Sequence, residues 1–86
     1  MYYVYIIKSS KNGKLYIGYT ANLKERMIKH NSATEKSTKA YAPWKLVYYE
    51  AYKSESDARK RELRLKDFGK AYGQLKRRMT DSLSGT

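Results

Sequence analysis

Few side chains in this sequence have the type and spacing to do chemistry. There is no cysteine, which removes disulfides and thiolate metal sites. The lone His30 removes paired-histidine metal centres. No Walker A loop and no GxGxxG run is present. The 8 acidic residues form no DxD or paired-carboxylate cluster, which argues against a multi-carboxylate two-metal site. What remains is the tyrosine pair Tyr5 and Tyr16, Arg26 with His30 four residues on, and Glu62. A tyrosine offers a ring for packing and a polar end that can meet phosphate or water. With an ordinary pKa of ~10, it works as a base only beside a cation or a hydrogen bond that favours phenolate. An arginine guanidinium can clamp two phosphate oxygens. One glutamate is enough for a hard divalent ion whose other ligands are waters and substrate phosphate. Each has a plainer alternative: half-buried strand tyrosines, an exposed helix arginine, and a glutamate ion-paired with Arg26 or another basic neighbour.

These residues fall on elements that the pattern makes recognisable. YYVYIIK (2–8) and LYIGY (15–19) are β-branched and aromatic and flank Asn12-Gly13, a strong hairpin signal. With Asn12 and Gly13 as a two-residue turn, Ser9 faces Tyr16. Alternation then puts Tyr3, Tyr5, Ile7, Tyr16 and Gly18 on one face, and Val4, Ile6, Leu15, Ile17 and Tyr19 on the other. The second face is the expected core. The first, with tyrosines and a glycine, is expected to leave room for an approaching group. Asn22 with Glu25 three residues later reads as a variant capping box opening a helix to about His30, with Arg26 and His30 on one flank. A polar loop runs from Asn31 to Lys39. A third strand covers roughly 45–52. A helix capped by Ser54 runs through about Phe68 and carries Ala58, Glu62 and Leu65 on one stripe. Ala71, Leu75 and Met79 are spaced for a short last helix. The order predicts an α/β fold, a small three-stranded antiparallel sheet flanked by helices, in one domain over 1–80 with a frayed tail at 81–86.

Charge narrows the partner. The 86 residues carry 19 Lys and Arg against 8 Asp and Glu, a formal net charge of +11, which points to a polyanion. Nucleic acid is the first candidate. A membrane partner is disfavoured: no apolar run approaches the ~18 residues of a span. No secretory signal is visible at the N-terminus, so the cytoplasm is the default compartment. Lys66, Lys70, Lys76, Arg77 and Arg78 are expected to supply a general electrostatic footprint for nucleic acid.

Tyr3-Val4-Tyr5, Tyr16-Ile17-Gly18, the stretch Gly18 to Asn31 with its NLKER run, and Ala58 to Lys66 with Glu62 together resemble the GIY-YIG nuclease family over about residues 2–70. Small stand-alone members are the best match. Tyr3 stands where the name-giving motif has glycine, which bears on how openly a substrate reaches that face. The resemblance implies a GIY-YIG endonuclease-like fold and metal-dependent hydrolysis of phosphodiesters, with 5′-phosphate and 3′-hydroxyl products. It implies that Tyr5 and Tyr16 position or deprotonate the attacking water, that Arg26 steadies the phosphate, and that Glu62 is the metal ligand, holding one Mg²⁺ or Mn²⁺ near the leaving 3′ oxygen. His30 is open to three roles: orienting a tyrosine, contacting phosphate, or capping its helix. DNA is the favoured substrate and RNA the second, chosen by structure rather than sequence. The competing classes are a non-catalytic basic nucleic-acid-binding module that keeps the nuclease fold, and a basic protein–protein adaptor.

Overall fold

In a computed structural model the chain is described at residues 1–32, 38–67 and 69–84. Phe68, most of the polar loop expected between Asn31 and Lys39, and the last two residues lie outside the described residues. Strands β1 (Tyr2–Ser9), β2 (Leu15–Thr20) and β3 (Trp44–Tyr52) form one antiparallel sheet in the order β2-β1-β3. Helix α1 (Leu23–Asn31) follows β2, and a 3₁₀ turn at Lys39–Tyr41 precedes β3. Helices α2 (Glu55–Lys66), α3 (Lys70–Arg78) and α4 (Thr80–Ser84) complete the chain. The α/β architecture expected from the pattern is the one found. No helix of the described residues is long and apolar enough to cross a membrane.

Caps form where the sequence offers them. The Asn22 side chain accepts from Glu25 N at 3.1 Å, and Ser54 Oγ from Asp57 N at 3.3 Å. Residues 81–84 lie in α4. Leu83 packs against the core, and its carbonyl takes the Lys8 ammonium.

The hairpin differs from expectation in register but not in facing. Tyr16 pairs with Ile7 rather than Ser9, and Gly18 with Tyr5. The cause is Ser9, whose Oγ accepts from Lys11 N at 3.1 Å and Asn12 N at 3.2 Å and so stabilises a longer loop, with Gly13 at φ +77°. A two-residue slip preserves the period-2 alternation, so each residue keeps its face.

Both faces are covered, which corrects the picture of an open tyrosine face. Val4, Ile6 and Ile17 form one core with Ala58, Leu65, Leu75 and Met79 from α2, α3 and the start of α4's turn. Tyr5, Ile7 and Trp44 form the second core, under Leu23 and Met27 of α1 and against Tyr16 and Tyr41. Trp44 reaches this face because of a register shift. Ile6 pairs with Tyr48 but Ile7 with Leu46, leaving Val47 without a β1 partner. The bulge reverses the alternation of β3 below it.

The room left by Gly18 is taken by the protein itself. A Cβ at Gly18 would stand 2.3 Å from both Cζ and Oη of Tyr5. Gly18→Ala should therefore cost about 1–3 kcal/mol, the usual penalty for overpacking. In a Tyr5→Leu background, where the ring is absent, most of that cost should vanish. Denaturant unfolding of the four proteins checks this. An equal cost in both backgrounds would contradict the contact.

Candidate active site

Burying Tyr5 forces its hydroxyl to find partners, and α1 supplies both. Arg26 and His30 are one turn apart on the flank that meets β1. Arg26 Nε donates to the Tyr5 oxygen at 3.3 Å, and His30 Nε2 lies 2.7 Å from it. His30 is itself fully buried, and its Nδ1 lies 2.9 Å from Thr38 Oγ1. A proton on Nδ1 directed at Thr38 leaves Nε2 as the acceptor for the Tyr5 hydroxyl. Thr38 is held in turn through its carbonyl, which accepts from Trp44 Nε1 at 2.8 Å.

The electrostatics of Tyr5 are set mainly by burial. Desolvation pushes its pKa up to about 12, against the pull of the Arg26 hydrogen bond and charge. Tyr5 is thus a protonated phenol at neutral pH, a donor and acceptor rather than a standing base. The Tyr16 phenol and, least of all, the Glu62 carboxylate also oppose its ionisation.

Tyr16 completes the group on the same face. Its ring stands edge-on to His30 at 5.3 Å between centroids and to Trp44 at 6.2 Å. It is partly exposed, and among the described residues none hydrogen-bonds its hydroxyl. The two tyrosines, alike in the sequence, thus differ in the fold. Tyr5 is enclosed, and Tyr16 is partly exposed.

Glu62 comes from α2, which packs on the other face of the sheet between its buried residues Ala58 and Leu65. Its side chain is 16% exposed and pairs with Lys66 Nζ at 3.0 Å, so Lys66 belongs to the surroundings of Glu62 as well as to the basic surface. The rotation of α2 is fixed by the adjacent residue. Arg61 Nε and Nη2 donate to the two oxygens of Glu50 at 2.9 and 3.0 Å, while the Tyr48 and Tyr52 hydroxyls donate to the same carboxylate at 2.6 Å each. Burial alone would raise the Glu50 pKa, but these donors outweigh it and hold the carboxyl below its usual range.

Among the described residues, no group of three or more His, Cys, Asp or Glu side chains could hold a metal ion. The fit is instead that of a lone, nearly buried carboxylate, all oxygen in donor type, which suits a hard divalent cation completed by water and phosphate.

Of the residues singled out from sequence, Tyr5, Tyr16, Arg26 and His30 gather around one hydroxyl. The cations of α3 do not join them. Lys70, Lys76, Arg77 and Arg78 are exposed on a helix that packs against the opposite face of the sheet. Sequence reasoning missed Thr38, Trp44 and the Glu50–Arg61 pair. The Asn31 side chain receives Trp44 N at 2.6 Å and donates to Trp44 O at 3.1 Å, tying the end of α1 to the start of β3.

Thr38→Val should cost about 1–3 kcal/mol, because a buried imidazole nitrogen loses its partner. Thr38→Ser should recover most of it. Denaturation midpoints decide, with His30 ring ¹⁵N shifts reporting the tautomer. A loss in Thr38→Ser with none in Thr38→Val would mean that the Thr38 methyl, not its hydroxyl, matters.

Comparison with known proteins follows the same lines. A family model described as GIY-YIG catalytic domain matches residues 1–80. A UPF0213 protein from Staphylococcus saprophyticus is 43% identical over 70 residues, covering 80% of this chain and 84% of that protein. A UPF0213 protein from Staphylococcus haemolyticus is similar to the same degree, 43% over 70 residues with 80% and 84% covered. The solution NMR structure of a UPF0213 protein from Bacillus halodurans aligns with a TM-score of 0.52 at 32% identity, covering 87% of this chain and 81% of that one.

Proposed function

The chain belongs to the GIY-YIG family, a nuclease-type family, and on that premise we propose that it is a divalent-metal-dependent endonuclease that hydrolyses nucleic-acid phosphodiesters, DNA before RNA. The observation that carries this reading is the convergence of Arg26 and His30 on the buried Tyr5 hydroxyl, beside the partly exposed ring of Tyr16.

Each side chain has a part that its surroundings suit. Attack of water on phosphorus breaks the P–O3′ bond and leaves 5′-phosphate and 3′-hydroxyl ends. Tyr16, whose hydroxyl has no hydrogen-bond partner among the described residues, aligns the water. Arg26 is steadied through Nε by Tyr5, and its planar guanidinium suits a phosphate, where charge grows in the transition state. Tyr5 and His30 are positioning residues: the pair at 2.7 Å fixes Arg26 and the edge of Tyr16. Glu62 is the residue that would hold a divalent cation, which when bound neutralises phosphate and leaving-group charge. The basic surface, at net +11, concentrates the polyanion.

Metal and charge variants test this together. Nicking of plasmid by the parent protein should require Mg²⁺ or Mn²⁺ and stop in EDTA. Glu62→Gln should abolish cleavage while leaving nucleic-acid binding within about twofold. Arg26→Lys keeps the charge but not the planar clamp and should lose on the order of 10²–10³ in rate. Metal-independent nicking, or full activity in Glu62→Gln, would reject the assignment. Binding without any cleavage by the parent would favour the non-catalytic module.

A further inference from the structure

Beyond the hydrolytic group, one recess of the same face has the form of a subsite. It is a cavity of about 330 Å³ lined by Tyr3, Ala21, Asn22, Leu23, Lys24 and Tyr49. Tyr49 lies opposite Tyr5 across β1 and β3, so the two share a face of the sheet. Unlike Tyr5, Tyr49 is 53% exposed. Its ring is braced by the Tyr3 ring in an edge arrangement, with centroids 6.0 Å apart and planes at 64°. This is the Tyr3 that stands in the glycine position of the motif. A T-shaped contact occupies at most one face of either ring, and with about half its surface exposed Tyr49 keeps ring area open to solvent. The opposite wall is the first turn of α1, and Leu23 precedes Arg26 by only about 4.5 Å of helix rise. Lys24 adds a cation at the rim. The Asn22 side chain is spent on its capping bond and takes no part.

We infer that this recess holds one unpaired nucleobase, stacked on the open face of Tyr49 with its phosphate toward Lys24, next to the phosphate that Arg26 steadies. This rests on the nuclease reading above and deepens it. An aromatic face accepts a base only when that base is unstacked from its neighbours, so the subsite selects single-stranded or extruded nucleotides over continuous duplex. The charge of the chain favours a polyanion there over an apolar peptide.

Binding in EDTA separates this from catalysis. The probes are a fluorescein-labelled single-stranded oligonucleotide and its fully paired duplex, read by anisotropy. Tyr49→Thr keeps a β-branched strand residue and removes the ring; Tyr49→Phe keeps the ring. Tyr49→Thr should weaken single-strand binding about 10- to 100-fold, the range of one lost base stack. Duplex binding and melting temperature should barely change, and Tyr49→Phe should bind like the parent. Equal loss on both probes, or no loss on either, overturns the subsite and leaves the nuclease reading standing. A parent protein that binds neither probe overturns both. Dissociation of a self-associated species by Tyr49→Thr, seen by sedimentation without nucleic acid, overturns the subsite in favour of a contact between copies.

Discussion

A tyrosine hydroxyl buried in the second core of a small domain is the constraint on which the rest depends. Leaving it unpaired would cost on the order of 1–3 kcal/mol, a large share of what a small domain has to spare. The chain satisfies it from α1, with Arg26 Nε on one side and His30 Nε2 on the other. That requirement orients α1 on the sheet. It also aligns an arginine with a partly exposed tyrosine, so stability and the proposed chemistry draw on the same hydrogen bonds.

Support for the hydroxyl reaches outward in steps. Gly18 clears the space that the Tyr5 ring fills. Thr38 meets the far nitrogen of His30, Trp44 holds Thr38, and Asn31 holds Trp44. The bulge beside Val47 turns Trp44 onto this face. On the other face, the Glu50–Arg61 pair sets α2 and with it Glu62. Five elements, three strands and two helices, thus support an arrangement no single one could build, as a domain this small requires.

Local rules were legible in the sequence, and rules that depend on distant partners were not. The two N-caps, the facing of each hairpin residue and the Ala58–Glu62–Leu65 stripe follow from spacing alone, and they hold. Register depended on one serine side chain competing for the backbone of the turn, which the Asn12-Gly13 pair concealed. The facing of Trp44 depended on a bulge, which period-2 alternation cannot announce. Thr38 sits beyond an unpatterned polar run, with nothing local to mark it as a partner of His30. Glu50 and Arg61 lie 11 residues apart in different elements. The gathering of Tyr5, Arg26 and His30 was partly visible as an i, i+4 pair following a tyrosine hairpin. The covering of that face was not, because the glycine that suggested an opening serves to seat a ring.

The central claim is that the Tyr5 hydroxyl positions the reacting groups rather than merely filling a core. Turnover of Tyr5→Phe against the parent, at saturating nucleic acid and metal and well below the variant's melting temperature, tests it most directly. Phenylalanine keeps the ring, the fold and the seat over Gly18, and removes the atom that Arg26 and His30 share. The account requires a fall of about 10²-fold or more, the usual consequence of loosening a positioned group. Turnover within twofold of the parent would contradict it.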